Sequence, residues 1–100
     1  MAYERLVRKL TKENLWLYIL KMLQERPDYP LGLKRRFREK FNFEPAGITF
    51  YTVLYRLKNE GLVASKNEGG RTVYLCTQKG EQALRLAVDY LKTTSQKLES

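Results

Sequence analysis

The residues best suited to recognition chemistry lie in the segment from Ile48 to Val63, whose two helical faces differ in character. At helical spacing one face is apolar, which is typical of a stripe that packs on a core. The opposite face offers hydroxyls, aromatic rings and one guanidinium, which can form hydrogen bonds and cationic contacts. The apolar face contains Phe50, Val53, Leu54 and Leu57, and the opposite face contains Ile48, Thr49, Tyr51, Thr52, Tyr55, Arg56 and Asn59.

The overall charge indicates which partner this polar face would contact. The chain has 19 basic and 11 acidic residues, and its formal net charge is +8. Such a balance favours a polyanionic partner, and a polar helical face on a basic chain favours nucleic acid in particular. The balance alone also fits RNA, an anionic lipid surface or simple solubility, so the positions of the basic residues must decide.

The residue types disfavour enzyme chemistry. The chain has no histidine and a single cysteine, Cys76, which excludes an intramolecular disulfide and the usual zinc sites and catalytic triads. Scattered carboxylates such as Glu44, Glu60 and Asp89 show no spacing typical of an acid–base pair. We therefore expect no enzymatic activity, no metal site and no cofactor.

The size and composition of the chain predict one domain that does not enter a membrane. Hydrophobic residues make up 43% and charged residues 30% of the chain, a globular balance. No apolar run approaches the roughly 20 residues that a membrane helix needs. The N-terminal residues mix charges of both signs and lack the apolar stretch of a secretory signal. We expect a single cytoplasmic domain over residues 1–100.

A helix-turn-helix is predicted in the first part of the chain, over residues 29–61. Before it, Thr11 suits the N-cap of a helix over residues 11–26, which Pro27 would end. This first helix is apolar nearly all round, so it must bury a second face in the domain or against another copy. A strongly basic helix is expected from Leu31 to about Phe41, and a break at residues 42–47 separates it from the two-faced helix.

A β-hairpin and a last helix are predicted to follow. Gly61 suits the positive φ of a helix C-terminus, and the pair Gly69-Gly70 between two β-forming runs predicts a hairpin over residues 62–76. Thr77 would cap a helix over residues 77–94, with residues 95–100 as a frayed tail. An apolar seam on this helix predicts self-association. Its members are Leu84, Val88, Leu91 and Leu98.

These elements define the fold class as α+β, mainly α. The arrangement is a winged helix-turn-helix with a two-stranded β wing and a C-terminal dimerisation helix.

The motif that joins the two-faced helix to the hairpin resembles the signature of PadR-type transcriptional regulators. Thr49-Phe50-Tyr51, Leu54, Arg56-Leu57 and Glu60-Gly61-Leu62-Val63 are similar, without a gap, to the family's Thr-Leu-Tyr, Leu, Arg-Leu and Glu-Gly-Leu-Ile. The resemblance covers residues 11–91 and extends into the hairpin. The matching residues there are Gly69-Gly70-Arg71, Tyr74 and Thr77-Gln78-Lys79-Gly80.

The resemblance implies a dimeric DNA-binding regulator with a small-molecule effector near the dimer interface. Nothing in the sequence identifies that effector, and Trp16 is the residue of most interest for it. Ile48 and Thr52 stand where the family usually has glycine and proline. These departures bear on the operator and the effector, not on the fold.

DNA-binding roles follow from the way a helix-turn-helix docks. Its second helix lies in the major groove, and the preceding helix crosses the backbone. Residues 48–56 would read base edges, basic residues would contact phosphates, and Arg71 would enter an adjacent minor groove. Alternatively, the tyrosine rings pack on neighbouring helices and the basic residues form a solvated face. The predicted DNA-binding residues are Lys34, Arg35, Arg38, Ile48, Thr49, Tyr51, Thr52, Tyr55, Arg56, Lys66 and Arg71.

A dimer interface is predicted on the first and last helices. Three assignments stay open for Trp16 and Tyr18: this interface, a ligand pocket, or the core of the protomer. The predicted function is sequence-specific binding of double-stranded DNA by a homodimer that represses transcription. The alternative is a winged-helix module that binds RNA, DNA without sequence specificity, or an acidic protein. The predicted interface residues are Leu15, Trp16, Tyr18, Ile19, Leu84, Val88 and Leu91.

Overall fold

Five α-helices and one β-hairpin form the fold, which a computed structural model describes for residues 1–100. The architecture is the predicted one, a mainly helical winged helix-turn-helix with a two-stranded wing. A short 3₁₀ turn, Lys12–Asn14, joins the first two helices. In chain order the elements are α1 (Ala2–Leu10), α2 (Leu15–Glu25), α3 (Pro30–Phe41), α4 (Gly47–Asn59), β1 (Val63–Glu68), β2 (Arg71–Cys76) and α5 (Gln78–Glu99).

The core lies where α2 meets α3, α4, β2 and the first turns of α5. Because α2 has packed neighbours on several sides, its apolar residues are buried on more than one face, as its composition predicts. The apolar stripe of α4 is also confirmed, since Phe50, Leu54 and Leu57 are buried and Val53 is half-buried. Each fully buried side chain of this size stabilises the fold by roughly 1.5–3 kcal/mol through removal from water.

The wing is an antiparallel hairpin in which Glu68 pairs with Arg71 across a two-residue turn. Both turn residues are left-handed, Gly69 at φ 59° and Gly70 at φ 82°, as a type I′ hairpin turn requires. Asp28 adds a one-residue third strand, because it exchanges backbone hydrogen bonds of 3.0 and 2.9 Å with Tyr74. The wing is therefore tied to the chain just before α3.

The start predicted for the first helix is wrong. Thr11 does not cap α2; its hydroxyl donates to the Val7 carbonyl at 2.7 Å and so belongs to the end of α1. The helix predicted over residues 11–26 begins only at Leu15. The separate helix α1 was missed, although the spacing of its apolar residues is helical. Those residues are Tyr3, Leu6, Val7 and Leu10.

The frayed tail predicted at residues 95–100 is also wrong, because α5 continues to Glu99. The Ser95 hydroxyl donates to the Glu99 carboxylate at 3.3 Å within this last part of the helix. Low apolar content removes packing partners, but residues 92–99 contain neither glycine nor proline to break the helix. The distal half of α5 therefore remains helical and exposed, with Leu98 at 82% exposure.

Candidate nucleic-acid interface

The outward face of α4 forms the centre of the candidate interface. Burial of Phe50, Leu54 and Leu57 fixes the rotation of the helix, so the residues on its opposite side must face solvent. Ile48 is 83% exposed, which is unusual for an isoleucine in a small domain. No side chain caps the N-terminus of α4, so its first backbone N–H groups are free to meet a phosphate. The exposed residues of α4 are Ile48, Thr49, Thr52, Tyr55, Arg56, Lys58 and Asn59.

Thr52 is exposed, but its hydroxyl proton is already used. Its Oγ1 donates to the Ile48 carbonyl at 2.8 Å, one helical turn back. The oxygen lone pairs remain available, so in this rotamer Thr52 can accept a hydrogen bond but not donate one. It therefore suits an amino group on a base edge better than a carbonyl or a phosphate oxygen.

Tyr51 and Tyr55 form a stacked pair one helical turn apart. Their ring centroids are 6.4 Å apart with an interplanar angle of 22°. Tyr51 also meets Phe50 edge-on at 5.6 Å and is half-buried, so its ring packs in the protein as the alternative interpretation predicts. Tyr55 is 50% exposed. Burial raises the pKa of Tyr74 on the wing, and the charge of the Tyr55 phenolate adds to the effect.

The basic residues of α3 divide into paired and unpaired groups. Arg38 forms an ion pair with Glu44 at 2.8 Å, which partly neutralises a predicted phosphate contact. Arg35 is exposed and forms no ion pair. Lys34 Nζ lies beside the start of α4, since a Cβ at Gly47 would be 3.3 Å from it. Lys34 and Arg35 are thus the α3 residues best placed to contact an anion.

Arg36 has a structural role instead. Its side chain is 17% exposed and donates to the Asp28 carboxylate and to the Met22 carbonyl, each at 2.9 Å. This network joins the end of α2 to the residue that anchors the wing.

The two predicted cations of the wing differ in their partners. Lys66 pairs with Glu68 at 3.2 Å, and both side chains are about half exposed. Arg71 has no carboxylate partner, and its guanidinium carbon lies 3.9 Å from the centroid of the Tyr29 ring. Arg71 is exposed at the end of the wing and retains its full charge.

Three of the predicted dimer-interface residues lie in the core of the protomer. Leu15, Ile19 and Leu84 are 2%, 0% and 7% exposed, so they are not available to a second copy and that assignment is wrong. Their spacing was compatible with either location, and packing between α2 and α5 decides it. Val88 and Leu91 remain on the surface at 38% and 41% exposure.

Trp16 and Tyr18 are half-buried. Tyr18 packs edge-on against Phe41 and Phe43, at centroid distances of 4.7 and 5.3 Å, and its hydroxyl donates to the Leu10 carbonyl. Trp16 Nε1 donates to Asn14 at 3.1 Å, and its ring lines an open cleft of about 390 Å³. Tyr18 thus joins an aromatic cluster, whereas Trp16 keeps an accessible face.

The exposed apolar face of α1 is a surface that sequence reasoning did not identify. No residue of α1 is buried, and four apolar side chains with helical spacing share one face. Their exposures decrease toward the body of the protein. They are Tyr3 at 71%, Leu6 at 53%, Val7 at 43% and Leu10 at 37%.

Cys76, the single thiol of the chain, is half-buried. Burial raises the pKa of the Cys76 thiol, and Glu81 adds to the effect, so this cysteine is a poor nucleophile at neutral pH. No three acidic or thiol side chains are grouped closely enough to hold a metal ion. None of the helices combines the length and apolar composition that crossing a bilayer requires.

Solved structures of transcriptional regulators share this fold. A PadR-family regulator from Eggerthella lenta is 25% identical, with a TM-score of 0.79 over 97% of this chain and 88% of that one. RosR from H. salinarum is 30% identical, with a TM-score of 0.66 over 84% and 74% of the two chains. A PadR-like transcription factor from Bacteroides fragilis, 22% identical, superposes with a TM-score of 0.78 over 95% and 96%.

No curated protein shows significant similarity to the chain. A family model does match: residues 19–86 fit the transcriptional regulator PadR-like family. That match runs from the middle of α2 to the first half of α5 and includes α3, α4 and the wing. With the helix-turn-helix, the glycine hairpin and the exposed face of α4 all in place, the chain belongs to the PadR-like family of transcriptional regulators.

Proposed function

We propose that this protein binds double-stranded DNA sequence-specifically as a homodimer and represses transcription. The main support for the proposal is the outward face of α4. Its polar and cationic side chains are exposed, while the opposite face of the same helix packs on the core. An α-helix of this kind fits the major groove, where each base pair presents a distinct pattern of donors and acceptors.

Each side chain on α4 suits a different kind of contact. Ile48 at the start of the helix would meet a thymine methyl group, and Thr49 and Thr52 would bond base edges. Arg56 would reach guanine or a phosphate, depending on how deeply the helix enters the groove. Tyr51 and Tyr55, which support one another by stacking, would contact the backbone.

The basic residues around α4 would supply the phosphate contacts. Lys34 and Arg35 are ready to do so, whereas Arg38 and Lys66 must first leave Glu44 and Glu68. Exchange of an exposed ion pair costs little, because such pairs contribute at most about 1 kcal/mol. Arg71 at the end of the wing would enter the minor groove, where narrow A·T-rich segments attract a guanidinium.

Dimerisation would set the distance between two α4 helices. The start of α5 is tied to the end of α4, because Thr77 donates to the Gly61 carbonyl at 2.7 Å and Lys79 to the Glu60 carbonyl at 3.0 Å. Any pairing of α5 with a second copy therefore orients the attached α4. Two-fold symmetry then requires a pseudo-palindromic operator with half-sites about 34–36 Å apart, one helical turn of DNA.

Two uncovered apolar faces support the homodimer. One is the distal part of α5, where Val88, Leu91 and Leu98 are exposed; the other is the apolar face of α1. A monomer would leave both in water, whereas a second copy can cover them at roughly 25 cal/mol per Å² of apolar surface.

A small-molecule effector would bind in the open cleft beside Trp16. The cleft there is also lined by Val53, Leu57 and Arg56 of α4, so an occupant would touch the proposed reading helix directly. Weaker DNA binding in the presence of a bound aromatic ligand, with a change in Trp16 fluorescence, would support this role.

RNA binding is the second candidate function, and the exposed Tyr55 ring favours it. Unpaired bases stack on such rings at about 1–3 kcal/mol per base. Against it, Tyr51 is half-buried and packs edge-on against Phe50, so Tyr55 is the one exposed ring on this face of α4.

Selection of bound duplex fragments by the purified protein tests the proposal. The salt concentration should be varied and single-stranded RNA and DNA included as competitors, because phosphate contacts alone are strongly salt-sensitive. An enriched inverted repeat that survives moderate salt supports a site-specific dimer. Binding that is lost at moderate salt without any motif, or that single strands displace, contradicts it.

A further inference from the structure

The N-terminal end of α3 and the start of β2 meet through one aromatic contact. The Arg71 guanidinium carbon lies 3.9 Å from the centroid of the Tyr29 ring, well within the range of a cation–π interaction. Tyr29 is half-buried and Arg71 is exposed. The contact therefore joins a cation at the surface to a ring that the fold holds in place.

Backbone hydrogen bonds on both sides restrain Tyr29. The preceding residue, Asp28, exchanges two backbone hydrogen bonds with Tyr74 of β2, and the Asp28 carboxylate accepts from the Tyr29 N–H at 2.8 Å. On the other side, the Tyr29 carbonyl accepts from the Leu33 N–H at 2.9 Å in the first turn of α3. The backbone that carries the ring consequently has a fixed position relative to the wing.

The Tyr29 ring orients the guanidinium group of Arg71, and no carboxylate neutralises its charge. Glu68 faces it across the hairpin turn but pairs with Lys66 instead, at 3.2 Å. A carboxylate partner would compete with phosphate for the guanidinium, whereas an aromatic face leaves the guanidinium cationic and its edge N–H groups free. A flexible arginine also loses rotamer freedom on binding, and a ring that already restricts it reduces that cost.

We propose that Tyr29 is a positioning residue for DNA binding, whose ring holds Arg71 in the direction from which the wing contacts the duplex. The inference rests on the proposed function and extends it to a residue outside the helix-turn-helix readers. Tyr29 acts through Arg71 and need not touch DNA itself. A ring is required at this position, but its hydroxyl is not.

Affinity of the full-length protein for the duplex recovered by selection tests this role. Tyr29→Phe keeps the ring and should bind as the wild type does. Tyr29→Leu should weaken binding about two- to fivefold, the range expected for loss of an exposed cation–π contact. Unfolding curves of all variants show whether a change in affinity reflects a change in the fold.

Combining the substitutions separates positioning from a purely structural role. In the Arg71→Ala background, Tyr29→Leu should cause no further loss, because the group that it positions is gone. Additive losses, equal losses for Phe and Leu, or tighter binding by Tyr29→Leu would overturn the proposal. If Arg71→Ala weakens binding and Tyr29→Leu does not, the positioning role of Tyr29 is refuted, while the contact of Arg71 with DNA and the proposed function are retained. If the wild type binds no duplex, the proposed function itself fails.

Discussion

At the scale of single residues, sequence neighbours on α3 have opposite roles. Arg35 is exposed without an ion pair, whereas Arg36 is 17% exposed and joins Asp28 to the Met22 carbonyl. Since adjacent positions on a helix point about 100° apart, one cation faces solvent while the next packs inward. The basic composition of α3 therefore overstates the charge that is free for a partner.

Substituting these two arginines separately should distinguish their roles. Arg36→Ala should lower the free energy of unfolding by about 1–3 kcal/mol, because it removes the half-buried ion pair with Asp28 Oδ2 and the charged hydrogen bond to the Met22 carbonyl. Arg35→Ala should change stability by no more than about 0.5 kcal/mol and weaken duplex binding. Urea unfolding and duplex titration measure the two effects. Equal losses of stability would contradict this division.

Arg71 gives a second prediction at this scale. Arg71→Ala should weaken duplex binding and reduce the slope of log affinity against log salt by about 1, while the fold remains intact. Lys97→Ala, which removes one charge from the far end of α5, is the matched control and should leave the slope unchanged. Affinity that is unchanged across a salt titration would exclude a wing contact to DNA.

At the scale of elements, several contacts constrain the start of α5. Thr77 accepts from the Gly80 N–H at 3.1 Å, which confirms the predicted N-cap, and it also donates to Gly61 after α4. Gly80 itself packs against the chain between α4 and β1, where a Cβ would lie 2.2 Å from the Leu62 carbonyl oxygen. Close approach of the backbone, not conformational freedom, requires glycine there.

Gly80→Ala should therefore destabilise the protein, although alanine is the better helix former. On an open helix the change would stabilise by about 0.5–1 kcal/mol, but here the contact with Leu62 reverses the sign and costs about 1–3 kcal/mol. Gly47→Ala is the control, since its Cβ would meet only the flexible end of Lys34. Thermal unfolding compares them, and equal stability of both variants would contradict the expected clash.

At the scale of the whole molecule, the protomer is elongated, with principal extents of 52 × 27 × 22 Å. The uncovered apolar faces of α1 and distal α5 add to the case for a second copy. Because α5 is tied to α4 at the Thr77 junction, the dimer would hold both reading helices at one spacing. In the proposed dimer, the geometry of the interface would therefore determine the spacing of the operator half-sites.

A charge placed in the α5 seam tests the assembly. Leu91→Glu should raise the dimer dissociation constant at least tenfold, about 1.4 kcal/mol, because a carboxylate would be buried without a partner. Gln82→Glu introduces the same charge on the opposite side of α5, nine residues and about 180° away, and should have little effect. Sedimentation analysis gives the mass of each variant. A dimer unaffected by Leu91→Glu would exclude this interface.

The patterns that are local in sequence determined the helix-turn-helix and the wing. The two faces of α4 follow from a 3.6-residue period, and the turn at Gly69-Gly70 follows from the positive φ that glycine accepts. The N-cap at Thr77 is equally local. Each of these depends on neighbours within a few residues, so the sequence was sufficient to predict them.

Contacts between distant segments decided the rest. Whether Ile19 and Leu84 face the core or a second copy depends on how α2 packs against α5, and periodicity cannot distinguish two apolar environments. The contact between Tyr29 and Arg71 joins residues 42 positions apart (71 minus 29), which the pairing of Asp28 with Tyr74 brings close to each other. Local periodicity predicts which residues share a face, but only the tertiary structure determines what that face contacts.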